Sequence, residues 1–240
     1  MIFLFTDYGL DGPYIGQVET VLNQLAPNEK VINLMADAPR NNPKASAYLL
    51  ASLIHKIPVG SILFCVVDPR VGSNEDNPVI LKINDRWFVG PNNGLFDLVV
   101  RQGNISECWK IIWRPDVLSM SFHGRDIYAP VCAMIANKEI MPGEQIEWQD
   151  QHQWPDDLCE IIYVDHFGNC MTGIRAKTFG KQRILKINGQ ELPNENTFSD
   201  VLPGQVFWYE NSNGLVEIAV NQGSAKQTFQ LEVGSRTQNS

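Results

Sequence analysis

The sequence predicts an α/β N-terminal domain, a mainly parallel sheet with flanking helices, followed by a small all-β C-terminal domain. Three observations carry this expectation. From the first residues to about Ile140, strand-like and helix-like patterns alternate, the order that builds a parallel sheet with helices on its faces. The stretch Pro142–Asp157 is polar, bounded by prolines and poor in aliphatic residues, as inter-domain linkers are. Beyond it the patterns are nearly all β, broken by Asn-Gly pairs. The expected domains are residues 1–148 and 158–236.

In chain order, Ile2–Phe5 is a short apolar run read as a first buried strand. Tyr14, Val18, Val21, Leu22 and Leu25 then recur at helical spacing. Val31–Leu34 is strand-like. Asn42-Pro43 supplies an N-cap and first-turn proline for a helix through His55. Ser61–Val67 is continuously apolar, as expected of a strand covered on both faces. Val79–Ile83 and Trp87–Val89 flank Asn84-Asp85 and read as a hairpin, and Arg125–Ala136 as a further helix. In the second domain, Ile184–Ile187 and Gln190–Leu192 flank Asn188-Gly189. Val206–Tyr209 and Leu215–Val220 flank Asn211–Gly214, Phe229–Val233 is a last strand, and the closing SRTQNS is expected to fray. A small barrel or sandwich follows.

Composition narrows the function classes. The 240 residues carry a formal net charge of −8, with 44% hydrophobic and 19% charged residues. With no Lys/Arg cluster, a nucleic-acid or acidic-membrane partner is not expected. The N-terminal MIFLFTDYGL lacks the basic start and apolar length of a signal peptide, and no run reaches membrane-spanning length. Five scattered cysteines with no CxxC pair point to reduced thiols in a cytoplasm. Neither the cysteines nor the four histidines cluster at zinc spacing, so no metal site is expected.

Polar residues at the ends of apolar runs mark where open α/β sheets place ligands. Thr6-Asp7-Tyr8-Gly9 follows the first strand and Asp68 follows Ser61–Val67. One such aspartate is ordinarily a cap or turn residue; two on strands of one sheet would face one crevice. Pro91-Asn92-Asn93-Gly94 reads as a turn. Phe122-His123-Gly124-Arg125-Asp126 opens a helix, either as a functional cluster or as an Asp126 cap beside a surface His. Asp165-His166-Phe167-Gly168-Asn169 is, on its own, an Asx-type turn.

Taken in order, FTDYG, VVDPRVG, VGPNNGLF, FHGRDIYAP, VDHFGN and YENSNGLVEIAVNQG resemble the S-adenosyl-L-methionine (SAM) hydroxide adenosyltransferases, relatives of fluorinase and chlorinase enzymes. The resemblance runs from residue 2 to about residue 225. It implies hydrolysis of SAM to adenosine and methionine by water attack at C5′. It assigns Asp7 to the ribose hydroxyls and the pair Asp68 and His123 to the attacking water. Asp165 and Asn169 would contact the methionine amino group and the adenine edge. Phe122 and Phe167 match apolar walls, Phe198 an adenine-side position, Tyr209 a methionine-side position and Ser212 a methionine-carboxylate ligand. It also implies a homotrimer with sites at subunit interfaces. The chemistry is consistent with these residue types: a sulfonium expels a neutral thioether, so the site must supply an oriented water, a base and exclusion of solvent. No cofactor or metal is expected.

Two positions depart from the pattern. The family's triad arginine falls on Glu75 here, and Arg70, two residues beyond Asp68, is the cation that could replace it. A unit charge about 4 Å away is worth roughly 4 kcal/mol at an effective dielectric near 20, about three pKa units on a nascent hydroxide. Arg40 stands where an aromatic residue commonly stacks on the substrate. The departures leave a non-catalytic SAM- or adenosine-binding protein as the alternative. A halide-using relative fits less well, since those enzymes carry Tyr in place of Asp68 and His123, and the short segment from Asp68 to Gly90 leaves no room for the fluorinase-type insertion.

Overall fold

A computed structural model of the chain describes residues 1–73, 77–181 and 183–239. Contacts divide it into two compact units, Met1–Leu50 with Ile54–His152, and Ala51–Leu53 with the chain from Gln153 on.

The first unit is built on a seven-stranded sheet. Its strands are β1 (Ile2–Thr6), β2 (Val31–Met35), β3 (Ile62–Val66), β4 (Pro78–Ile83), β5 (Arg86–Pro91), β6 (Ile105–Ile111) and β7 (Gly143–Gln145), in the order β2-β1-β3-β5-β4-β6-β7. The strands β2, β1, β3 and β5 are parallel, and β4, β6 and β7 extend the sheet antiparallel. Every residue of β1 and β3 is buried, which accounts for their continuous apolar sequence. From β1 the chain runs through α1 (Tyr14–Leu25) to β2 on one side of β1, then through α2 (Pro43–Leu53) to β3 on the other. The carboxyl ends of β1 and β3 therefore flank a topological switch point, the place where such sheets bind ligands.

Local chemistry sets these elements. Asn42 Oδ1 accepts the Ala45 N–H at 3.0 Å, and Pro43 occupies the first turn, so α2 begins where the Asn-Pro pair predicts. The β4–β5 turn has positive φ at both Asn84 and Asp85, the type I′ geometry whose twist suits a hairpin. After α3 (Asp97–Gln102), the Arg125–Ala136 helix opens with a wide π turn over Gly124–Tyr128 and continues as α4 (Ala129–Ala136). One face of the sheet, including Ile2, Leu4, Ile62 and Phe64, packs on Val18 and Leu22 of α1 and on Ile127 and Val131. At about 25 cal/mol per Å² of apolar surface, each such side chain stabilises the fold by about 1.5–3 kcal/mol.

The second unit holds antiparallel sheets. One has the order β12-β13-β9-β8, from β8 (Leu158–Val164), β9 (Cys170–Arg175), β12 (Val206–Glu210) and β13 (Leu215–Val220). The other has the order β11-β10-β14, from β10 (Leu185–Ile187), β11 (Gln190–Leu192) and β14 (Gln238–Asn239). Asn188 and Gly189 both have positive φ, again a type I′ hairpin. Short helices α5 (Ala176–Phe179) and α6 (Ala225–Phe229) complete it. Among the described residues, no helix is long and apolar enough to cross a membrane.

Two expectations are corrected. Phe229–Val233 is not a strand: the Ser224 side chain accepts the Gln227 N–H at 3.2 Å and starts α6, and Gln230 ends it at a φ of 55°. A local cap here outweighs a short apolar alternation. Residues 235–239 of the terminal segment do not fray. Thr237 is buried with its N–H on the Cys159 carbonyl, and Gln238 pairs with Lys186, because the β10 edge otherwise leaves its backbone groups unpaired. The division between the two units falls after His152, inside the Pro142–Asp157 stretch; ahead of it Gly143–Gln145 pairs with β6 and the N–H of His152 reaches the buried Asp97 carboxylate at 2.8 Å.

Candidate active site

In the first unit, strand register brings the two sequence-singled aspartates to one edge of the sheet. Thr6 pairs with Val66, so Asp7 and Asp68 leave the carboxyl ends of adjacent strands at the switch point. Asp7 Oδ2 accepts the Asn41 N–H at 2.8 Å. Burial raises the Asp7 pKa, an effect opposed by the Asn41 bond and by Arg40 nearby. Arg40, which departs from the aromatic of the family pattern, is exposed. Asp68 is half-buried, and its Oδ1 accepts the backbone N–H of Arg70 at 3.0 Å. The Arg70 residue is exposed. Glu75 lies outside the described residues.

The third strand end at this edge carries Asn92 and Asn93. Asn93 Nδ2 donates to the Val67 carbonyl at 2.9 Å, tying the turn after β5 to the chain just before Asp68. The Pro91–Gly94 segment is thus a turn, as its composition reads, and also a brace for Asp68.

His123 is only 6% exposed, so the surface-His reading of the FHGRD segment does not hold. It caps the π turn at Gly124–Tyr128, and Phe122 stands before it. Phe122 packs edge-to-face on Tyr8 and Tyr14, and the two tyrosines are tilted to each other, with centroids 5.4–6.2 Å apart. The Tyr8 hydroxyl lies so close to Gly124 that any Cβ there would overlap it, which explains the glycine after His123. Burial, with the charges of Asp7 and Asp68, pushes the Tyr8 phenol far up, so it stays a neutral donor at physiological pH. The sequence reading missed Tyr8; its signal was its place inside FTDYG. Arg125 bonds Asp126 and, at 2.8 Å, Gln17 of α1, while Asp126 Oδ2 accepts the Ser119 N–H. The Asp126 carboxyl is held below the usual range by its Arg125 bond.

In the second unit, a cavity of about 600 Å³ is lined by Asp165, Phe167, Asn169, Phe198, Tyr209, Val220, Gln222 and Gly223. Five sequence-singled residues meet there; Ser212, exposed at the tip of the β12–β13 turn, is not in its lining. The Asp165 segment is an Asx turn: Oδ1 accepts the N–H groups of Phe167 and Asn169, and Oδ2 accepts Asn169 Nδ2 at 2.9 Å. The turn leaves Phe167 74% exposed. Phe198 stacks edge-on to Phe207 and Tyr209. Behind this wall lies a residue the sequence reading also missed, Glu217, buried in the middle of β13. A carboxylate in an otherwise apolar run was the available signal. Among the described residues, no three His, Cys, Asp or Glu side chains cluster as metal ligands.

Known proteins match both units. Residues 2–145 match the SAM hydroxide adenosyltransferase N-terminal domain and residues 159–238 the C-terminal domain. A protein of Thermus thermophilus named (R)-S-adenosyl-L-methionine hydrolase is 31% identical, over 97% of this chain and 96% of its own. One of the same name from Salinispora tropica is 30% identical over 96% and 94%. A crystal structure of an uncharacterized conserved protein from Thermotoga maritima superposes with a TM-score of 0.90 at 26% identity, covering 100% of this chain and 99% of that one. With both family domains matched in order, the chain belongs to the SAM hydroxide adenosyltransferase family.

Proposed function

We propose that this chain hydrolyses SAM to adenosine and L-methionine, with the (R)-sulfonium form as substrate, in keeping with relatives named (R)-S-adenosyl-L-methionine hydrolase. The observation that carries the reading is the placement of Asp7 and Asp68 at the carboxyl ends of adjacent parallel strands, beside the switch point. Asp7 receives the ribose diol. Asp68 and His123 hold a water in line with the C5′–S bond, and Phe122 and Phe167 keep bulk solvent out. A new C5′–O bond forms as the C5′–S bond breaks, its electron pair returning to sulfur as a neutral thioether. Asp68 takes the water's proton as general base. Arg70 supplies the charge that favours the developing hydroxide. Asp165, Asn169, Tyr209 and Ser212 hold the methionine end, with Asn169 and Phe198 on the adenine side.

No cofactor is assigned, because the leaving group needs neither protonation nor a Lewis acid. The modules are residues 1–148 and 158–236, the assembly a homotrimer with sites at subunit interfaces, and the location cytoplasmic. Five free thiols support a reducing compartment.

The test is incubation with resolved sulfonium epimers in ¹⁸O-water, followed by chromatography and mass spectrometry. Equimolar methionine and adenosine labelled at the 5′ oxygen are expected. Unchanged SAM with measurable binding would establish the non-catalytic alternative instead.

A further inference from the structure

We propose that Glu217 fixes the Tyr209 hydroxyl as a hydrogen-bond acceptor toward the 600 Å³ cavity, making that wall selective for an ammonium group on the ligand. The proposal rests on the SAM reading and assigns the ammonium to the methionine end.

All of β13 is buried, and Glu217 at its middle is 2% exposed. It faces Tyr209 across the β12–β13 ladder. The Tyr209 hydroxyl donates to Glu217 Oε1 at 2.6 Å, and Asn211 Nδ2 donates to Oε2 at 2.7 Å. Asn211 cannot reverse its amide, because its Oδ1 already accepts the N–H groups of Asn213 at 2.9 Å and Leu215 at 3.0 Å. An ionised carboxylate only accepts hydrogen bonds, and a phenol has one hydrogen. That hydrogen points at Glu217, so toward a ligand in the cavity that Tyr209 lines the hydroxyl can only accept. Asp165 lines the same cavity with a second carboxylate. An ammonium has three donors, no acceptor and a positive charge, so it suits a wall of lone pairs and carboxylates, and SAM carries one at its methionine end.

The charge around Glu217 fits a cationic ligand. Burial raises its pKa, with the Asp165 charge adding to the rise. Burial also raises Tyr209 on β12 and Cys170 on β9, and both feel Glu217 and Asp165; Lys226 of α6 acts on Cys170 in the opposite sense. A ligand cation beside Tyr209 favours ionised Glu217, so binding at acidic pH releases a proton. Glu217 thereby acts as a positioning residue, through Tyr209.

The experiment compares SAM with adenosine, which lacks the ammonium, on wild type and Glu217→Gln. In the variant, fixed Asn211 retains the Gln carbonyl, so the Gln amide faces Tyr209 and turns its hydrogen into the cavity. Expected are a KM for SAM raised tenfold or more, adenosine affinity within twofold of wild type, an unlowered Tm, and less proton release on SAM binding at pH 5 by calorimetry in two buffers. Unchanged SAM affinity overturns the proposal, as does equal loss of SAM and adenosine. Should Glu217→Gln not fold, Tyr209→Phe, which removes the phenol's acceptor together with its bond to Glu217, is expected to raise the KM for SAM and leave adenosine affinity within twofold, with a lowered Tm. Wild type that neither binds nor consumes SAM defeats the functional reading itself, a result distinct from any effect of Glu217.

Discussion

The backbone N–H of Arg70 donates to Asp68 Oδ1 at 3.0 Å, closing a turn directly after β3. The turn holds one oxygen of the proposed base and places the Arg70 side chain two residues from it. Replacing Asp68 by Asn should lower kcat by about a hundredfold or more, the range for loss of a general base. Arg70→Ala should depress kcat with little change in KM, because its charge acts as hydroxide develops. If Arg70→Ala leaves steady-state turnover intact while Glu75→Arg raises it strongly, the cation has not moved to Arg70 and the site is a weakened hydrolase.

In the proposed site Asp7 receives the ribose diol, and Asn41 donates its backbone N–H to Asp7 Oδ2. Asp7→Ala should weaken binding by about 1.5–3 kcal/mol, the worth of hydrogen bonds to a charged group. Calorimetry showing wild-type affinity removes Asp7 from the site. Because burial raises its pKa, protonated Asp7 is favoured by the fold. Its contribution to stability is present at low pH and lost as pH rises through the raised pKa, so Asp7→Asn should not lower stability at neutral pH.

The contact between Gly124 and the Tyr8 hydroxyl is open to a double-mutant test. Gly124→Ala should destabilise the fold by about 1–3 kcal/mol through overpacking, and lower activity by moving His123. Adding Tyr8→Phe removes the overlapping oxygen and should restore part of the loss. Denaturation of the four proteins gives the coupling; additive losses would show that Tyr8 is not what excludes a side chain at Gly124.

Asp126 links Arg125 to the Ser119 backbone ahead of His123. Its pKa is lowered, so its stabilisation is present above the unfolded value and lost as pH falls through the folded one. Asp126→Asn should cost about 1–3 kcal/mol at pH 7, and the difference from wild type should vanish on acidification below the ordinary Asp range. A difference independent of pH, in denaturant titrations, would rule out the charge as its source.

Some of the molecule is written locally and so is readable from sequence. A strand covered on both faces needs an unbroken apolar run, and Ile62–Val66 has one. A type I′ turn needs residues that tolerate positive φ, and Asn84-Asp85 and Asn188-Gly189 supply them. The ordered motifs from FTDYG to VNQG fixed the family, and with it Asp7, Asp68, His123 and the Asp165–Asn169 turn as candidates. Where local signals competed, the reading failed: Phe229–Val233 alternates like a strand, yet the Ser224 cap begins a helix there.

Only the tertiary structure decided what surrounds those candidates. Strand order put Asp7 and Asp68 at neighbouring strand ends, since pairing between β1 and β3 joins residues far apart in the chain. The burial of His123, the fit of Tyr8 against Gly124 and the bonds from Tyr209 and Asn211 to Glu217 likewise depend on packing. The sequence determined which groups could do the chemistry, through residue type and local backbone preference. The fold decided which are dry, which are braced and which way their hydrogens point, because those properties belong to neighbours rather than to spacing.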